Sequence, residues 1–206
     1  VIRSIPDQIL MSGHDWLGPQ RAEAASDRIL DAATELFVQH DVSTVGMNDI
    51  ARAAGCSRAT LYRYFDSRDV LYKAYVDREA NRLYEQMIKI VAEIDDPQER
   101  LLTAMTKCLQ IVRQSPALSA WFTPSDSPIG AAIADRSEAI HAMVAGFLMS
   151  LGDDEPEVIQ RRARWLVRIL VSLLSFPEDD EADERAMAEE FLIPIIFPED
   201  RTVSAD

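Results

Sequence analysis

The sequence predicts an all-α chain, with an N-terminal three-helix helix-turn-helix domain followed by a larger helical domain. Three observations carry this prediction. Apolar residues recur at three- and four-residue spacing in every patterned segment. No stretch sustains the period-two alternation of a strand. The breaks between segments hold residues that start or stop helices, such as Gly55, Ser57, Pro97, Ser115-Pro116 and Pro194. The predicted organisation is an arm over residues 1–20, a helix-turn-helix domain over 21–75 and a helical domain over 76–206.

In the arm, Pro6, Gly13, Gly18 and Pro19 oppose a helix. Arg3 is a candidate for a minor groove, although a tail without a role is the simpler reading. A first helix is expected over 25–39, where Ile29, Ala32, Ala33, Leu36 and Phe37 form one stripe. Residues 40–43 are a turn, and its His40 is read as a turn histidine, not a ligand.

The stretch from Met47 to Phe65 reads as two short helices joined by a tight turn. Ile50, Ala51 and Ala54 line the first helix. Gly55 stops it, because glycine accepts the left-handed conformation of a helix end. Ser57 is placed to cap the second helix, whose Leu61 and Phe65 face inward. The outward residues suit a DNA groove. Arg58 can reach a guanine edge or a phosphate, the methyls of Ala59 and Thr60 can meet a thymine methyl, and the Tyr62 hydroxyl can bond a phosphate. Thr44, Asn48, Tyr64 and Arg68 complete the candidate DNA-contacting set. Cys56 is read as a small apolar plug of the turn.

A fourth helix is expected from Ser67 towards Ile94, closed by Asp95-Asp96-Pro97. Further helices are expected over 97–114, from Ser115-Pro116 through Trp121 and Phe122, over 129–151, over 157–176 and over 181–197. A Pro/Ser-rich loop spans 123–130, and Pro194 should bend or end the last helix. The apolar residues of the last two long helices exceed what one small domain easily buries. Ile159, Ala163, Leu166, Val167, Leu170, Leu174, Phe191 and Ile195 are therefore candidates for an interface with a second copy of the chain.

Bulk properties limit the function classes. With 206 residues and 48% hydrophobic content the chain can build a sizeable core. The longest apolar run, Trp165 to Phe176, is interrupted by Arg168, so no membrane partner is expected. Cys56 and Cys108 lack metal-ligand spacing and read as reduced thiols; with no apolar leader at the start, a cytoplasmic location is expected. The net charge of −14 is unevenly spread. Residues 50–80 carry six basic against four acidic side chains, whereas residues 176–206 carry eleven carboxylates against two arginines. The acidic end should point away from DNA. An enzyme is poorly supported. His14, His40 and His141 are far apart, no phosphate-cradling glycine loop or nucleophile elbow exists, and Glu189-Glu190 reads as a solvated face. No metal and no cofactor are expected.

The run from Arg28 to Val76 resembles the DNA-binding domain of the TetR (tetracycline-repressor-like) family. The matching pieces are Ile29-Leu30-Asp31-Ala32-Ala33-Thr34-Glu35-Leu36-Phe37, Asp49-Ile50-Ala51-Arg52-Ala53-Ala54-Gly55, Ser57-Arg58-Ala59-Thr60-Leu61-Tyr62-Arg63-Tyr64-Phe65 and Ser67-Arg68-Asp69-Val70-Leu71. Gly46 and Asn48 depart from the commonest pattern, where a threonine cap and a basic residue are frequent, which leaves one phosphate contact and one base contact open. The resemblance implies a homodimer on a pseudo-palindromic double-stranded DNA operator, most often as a repressor. It also implies a ligand cavity in the second domain whose filling moves the fourth helix. Candidate lining residues for a small apolar effector are Leu109, Trp121, Phe122, His141, Met143, Phe147 and Trp165. Two readings stand beside it: a helical protein-interaction module with a degenerate helix-turn-helix, and an enzyme fused to a DNA-binding head.

Overall fold

The computed structural model describes residues 18–122, 129–178 and 180–198, with side chains from residue 21 onward and without that of Glu181. Arg3 and the rest of 1–17 lie outside the described residues, as do 123–128. Among the described residues every regular element is helical, and no helix is long and apolar enough to cross a membrane.

Helix α1, Gly18–Gln39, begins seven residues before the expected start. Pro19 sits in its first turn, where a missing N–H costs nothing, so Gly18 and Pro19 open the helix instead of breaking it. Helices α2 (Met47–Ala53) and α3 (Arg58–Tyr64) fall within the predicted pair. Helix α4, Arg68–Ile90, is capped by Ser67, whose Oγ accepts from the Val70 N–H at 3.2 Å. It ends four residues earlier than expected, in a turn before Asp95. Helix α5, Pro97–Gln114, starts on Asp96, whose side chain accepts from the Gln98 N–H at 3.0 Å. The short α6, Pro116–Ser119, leads to Trp121 and Phe122.

One long helix is expected over 129–151, but the structure has two: α7, Ile129–Arg136, and α8, Glu138–Met149. The break is Ser137. Its Oγ accepts from the Ile140 N–H at 3.2 Å, which caps α8, and donates to Asp77 Oδ1 at 2.6 Å. Ser137 is fully buried, so this bond to α4 fixes the joint. Helix α9, Pro156–Ser175, packs along α8. The last segment runs through Pro194 as α10 (Glu181–Met187), a π-turn over Ala188–Leu192 and α11 (Ile193–Ile196). A proline ring crowds the carbonyl four residues back. The wider turn just before Pro194 accommodates it, so the segment continues.

Two apolar cores result. The first joins α1, α2, α3 and the start of α4 through Ile29, Phe37, Ile50, Leu61, Phe65, Leu71, Tyr72 and Tyr75. The second joins α5, α8, α9 and the C-terminal helices through Leu101, Met105, Leu109, Phe147, Leu148, Leu166 and Leu192. Helix α4 serves both, since Tyr84 and Ile88 pack against the second core. Trp121 crosses the expected boundary and belongs to the first core.

Candidate nucleic-acid interface and interior cavities

The turn between α2 and α3 forms as the sequence requires. Gly55 has φ of 67°, and the Cys56 N–H returns to the Ala51 carbonyl at 3.0 Å. Gly46 caps α2 without a side chain, and its N–H donates to Asp49 Oδ2 at 3.2 Å. Ser57 Oγ accepts from the Thr60 N–H at 3.0 Å and lies 2.9 Å from Thr60 Oγ1. Leu61 and Phe65 are buried, which turns the other face of α3 outward. Arg58 and Ala59 are exposed there, and Thr60, Tyr62 and Tyr64 are half-buried. The Arg58 guanidinium lies 5.3 Å from the Tyr62 ring centroid, and Arg63 stands 5.5 Å from that of Tyr64. Stacking of this kind holds a long cation in place before it meets a partner.

The other three candidates divide. Asn48 is exposed on α2. Thr44 is exposed, but its hydroxyl donates to the Asp41 carbonyl at 2.8 Å. Arg68, expected at a phosphate, is engaged inside the domain. Its Nη2 donates to the Ser43 carbonyl at 2.8 Å, and its guanidinium sits 4.8 Å from the Tyr72 ring centroid. The Tyr72 hydroxyl donates to the carbonyls of Val42 and Val45 at 2.6 and 3.0 Å. Burial pushes the Tyr72 hydroxyl's pKa up, so it remains a donor. Arg68 and Tyr72 thus clamp the turn that leads into α2. Sequence reasoning missed Tyr72 because its partners lie about thirty residues away.

Helix α4 is tied to its surroundings at further points. Arg78 donates to Asp31 Oδ1 at 2.8 Å and to the Asp27 carbonyl at 3.3 Å, both on α1. Asp77 accepts from Ser137 Oγ and pairs with Lys73. Trp121 stacks on Tyr75 at 5.2 Å and meets Phe37 and Tyr72 edge-on, each at 5.1 Å. Burial lifts the Tyr75 hydroxyl to about 12.

Beyond these ties, α4 lines a pocket of about 530 Å³ that includes Ile133 and the charged Asp69, Lys73 and Arg136, and it walls two apolar cavities. The larger, about 140 Å³, lies between α4, α5, α8 and α9 and includes Leu83, Tyr84, Met87, Met105, Cys108, Met143, Val144 and Phe147. The smaller, about 90 Å³, includes Tyr75, Glu79, Leu118, Trp121, Phe122 and Gly130. Ala80 and Leu83 line both. Of the expected lining residues, Met143 and Phe147 face the larger cavity and Trp121 and Phe122 the smaller. Leu109, His141 and Trp165 line neither: Leu109 is buried in the second core, Trp165 packs against it, and His141 Nε2 is buried without a hydrogen-bond partner. Burial pushes the Cys108 thiol up to about 12, so it is protonated and unreactive. No group of side chains among the described residues could hold a metal ion.

The expected interface residues divide as well. Ile159, Ala163, Leu166 and Val167 are buried within the chain, because the apolar stripe of α9 packs inward. Leu170 and Leu174 pack against the same core. Phe191 and Ile195 stay exposed, together with Phe176, which is 76% exposed, and Met149.

Residues 29–75 match the family model described as bacterial regulatory proteins, tetR family. The chain is 57% identical over 188 residues to the uncharacterized HTH-type transcriptional regulator Rv1255c of Mycobacterium tuberculosis, a match that covers 91% of this chain and 93% of the relative. Among solved structures it is similar to RolR in complex with resorcinol, with a TM-score of 0.65, 16% identity and coverage of 82% of this chain and 87% of that one. It is also similar to Thermus thermophilus FadR in complex with lauroyl-CoA, with a TM-score of 0.61, 20% identity and coverage of 88% and 100%. At these identities the two structures speak for the fold alone.

Proposed function

The chain belongs to the TetR family of bacterial regulatory proteins, and from that premise we propose that it is a cytoplasmic, ligand-responsive repressor. It binds a pseudo-palindromic operator as a homodimer and leaves it when a small apolar effector fills the cavity beside α4. The observation that carries this reading is the double duty of α4. Tyr72 and Arg68 fix the turn that positions α2, and Ala80, Leu83, Tyr84 and Met87 of the same helix wall the cavity. Eight residues separate Tyr72 from Ala80, a helical rise of about 12 Å. A rigid helix carries a displacement over that distance, and a small tilt at the cavity moves α2 and α3 with it.

DNA recognition is assigned to α3. Arg58 and Tyr62 act on base edges and phosphates, Ala59 and Thr60 on thymine methyls, and Asn48 and Thr44 on the backbone beside them. The proposed dimer places two such helices on one face of DNA, with Phe176, Phe191 and Ile195 as exposed apolar surface for the second copy. The complexes of RolR with resorcinol and of FadR with lauroyl-CoA support ligand control in proteins of this fold. Release by a hundredfold requires the effector to prefer the unbound form by about 2.7 kcal/mol.

The test is selection of bound fragments from a genomic library by the full chain, followed by an effector screen on the recovered site. Enrichment of a two-fold symmetric sequence, released stoichiometrically by a small molecule, is the expected result. No enriched sequence would favour a protein-interaction module instead.

A further inference from the structure

The walls of the larger cavity also specify the chemistry of its occupant. Fourteen side chains from α4, α5, α8 and α9 line it, and none carries a charge. Tyr84 and Cys108 alone among them have polar side-chain atoms. The Tyr84 hydroxyl lies against Gly146, and the Cys108 thiol is neutral. An ionised carboxylate, phosphate or ammonium placed here would lose its hydration and meet no counter-charge in the lining, which strongly disfavours it. A neutral apolar molecule gives up no polar hydration on entry, and removing its apolar surface from water favours binding. Met87, Met105 and Met143 give the walls three flexible, polarisable side chains that can adjust to its shape. Size points the same way, because cavities of about 150 Å³ with aliphatic and aromatic walls stay dry and take up benzene or xenon. This cavity, at about 140 Å³, falls in that range.

We infer that the part of an occupant held in this cavity is uncharged and hydrocarbon-like, with room for a benzene-sized ring, and that analogues carrying an ionised group at the same place are excluded. This rests on the proposed reading of the cavity as the effector site and narrows it to one chemical class.

The experiment uses the full chain labelled with ¹³C at the methionine methyls, titrated in sealed tubes with toluene and, in parallel, with benzoate at neutral pH. The expected result is saturable shifts of the Met87, Met105 and Met143 methyls with toluene, and binding of benzoate at least a hundredfold weaker. Ala104→Leu, which places bulk in the cavity, should weaken toluene binding at least tenfold. If that variant loses its native helical circular dichroism, the methyl shifts of the unaltered chain carry the test alone. Benzoate binding within tenfold of toluene, with the same methyls shifted, would overturn the inference. Absence of any toluene shift at those three methyls would overturn it too. The same titration repeated on the operator complex separates the two claims. Toluene that fills the cavity yet leaves DNA affinity unchanged removes the effector role and leaves the cavity's chemistry standing.

Discussion

At position 121 an indole carried on the chain after α6 stands among Phe37, Tyr72 and Tyr75 of the first core, and its backbone lies close against Gly130 of α7. A Cβ added at Gly130 would come within 2.3 Å of the Trp121 carbonyl oxygen, so no side chain fits there unless the segment shifts. Trp121→Ala should cost about 3–5 kcal/mol, the range for emptying a large aromatic site, read as a lower midpoint in denaturant. Operator affinity should fall with it, because Tyr72 and Tyr75 lose the ring that holds them. On the DNA face, Arg58→Ala should weaken operator binding by about 1–3 kcal/mol without changing stability. Tyr62→Phe keeps the ring beneath Arg58 and removes only the hydroxyl. Its loss measures the phosphate contact by itself, and an unchanged affinity would take Tyr62 out of the contact set.

Among the elements, legibility in the sequence followed the range of the forces involved. Gly55, Ser57, Ser67 and Asp96 act on backbone groups within three residues, and the turns and caps they make were readable from local chemistry. The α7–α8 break was not, because apolar spacing runs through Ile133 and Ile140 and the partner that fixes Ser137 is Asp77, sixty residues away. The burial of Ile159, Ala163, Leu166 and Val167 within the chain was hidden for the same reason: the stripe of α9 is plain in the sequence, but which surface it packs on is a tertiary fact. The docking of α10 was equally hidden. Arg113 of α5 donates to both Glu184 oxygens, at 2.7 and 2.5 Å, and to the Leu173 carbonyl at 2.9 Å, which joins α5, α9 and α10. Burial pushes the Glu184 carboxyl up, but the Arg113 bonds and the Glu178 N–H outweigh it and hold it below its ordinary 4.5. Its contribution is therefore complete above that value and is lost as pH falls through the lower folded value. Glu184→Gln should flatten that acid-side decline in thermal unfolding curves. Arg113→Ala, which strands a buried carboxylate, should cost about 3–5 kcal/mol. Ser137→Ala should cost about 1 kcal/mol for the lost cap, and an altered ligand response would add evidence that the α4–α8 joint takes part in signalling.

On the scale of the whole molecule, charge and apolar surface are both polarised. The acid sits at the C-terminal end, far along the chain from α3, and Phe176, Phe191 and Ile195 are exposed near it. A second copy covering these side chains would explain why an acidic chain leaves them in water. Phe191→Asp should keep the helical spectrum and lower the sedimenting mass towards one subunit; an unchanged mass would place the interface elsewhere. The fold that would carry the site was legible at this scale as a motif, namely a helix-turn-helix joined by one helix to an apolar interior. What the motif could not give was the bracing of α4 by Tyr72, Arg78 and Trp121, on which the proposed lever action rests.

The most direct test of this account is the anisotropy of labelled operator DNA titrated with the chain over a salt series, with Arg58→Ala in parallel. The expected result is saturation by an even number of subunits, affinity well above that for scrambled DNA, a steep fall with salt, and a loss of about fivefold or more in the variant. Equal binding of operator and scrambled DNA, or a variant that binds as well as the parent, would contradict it.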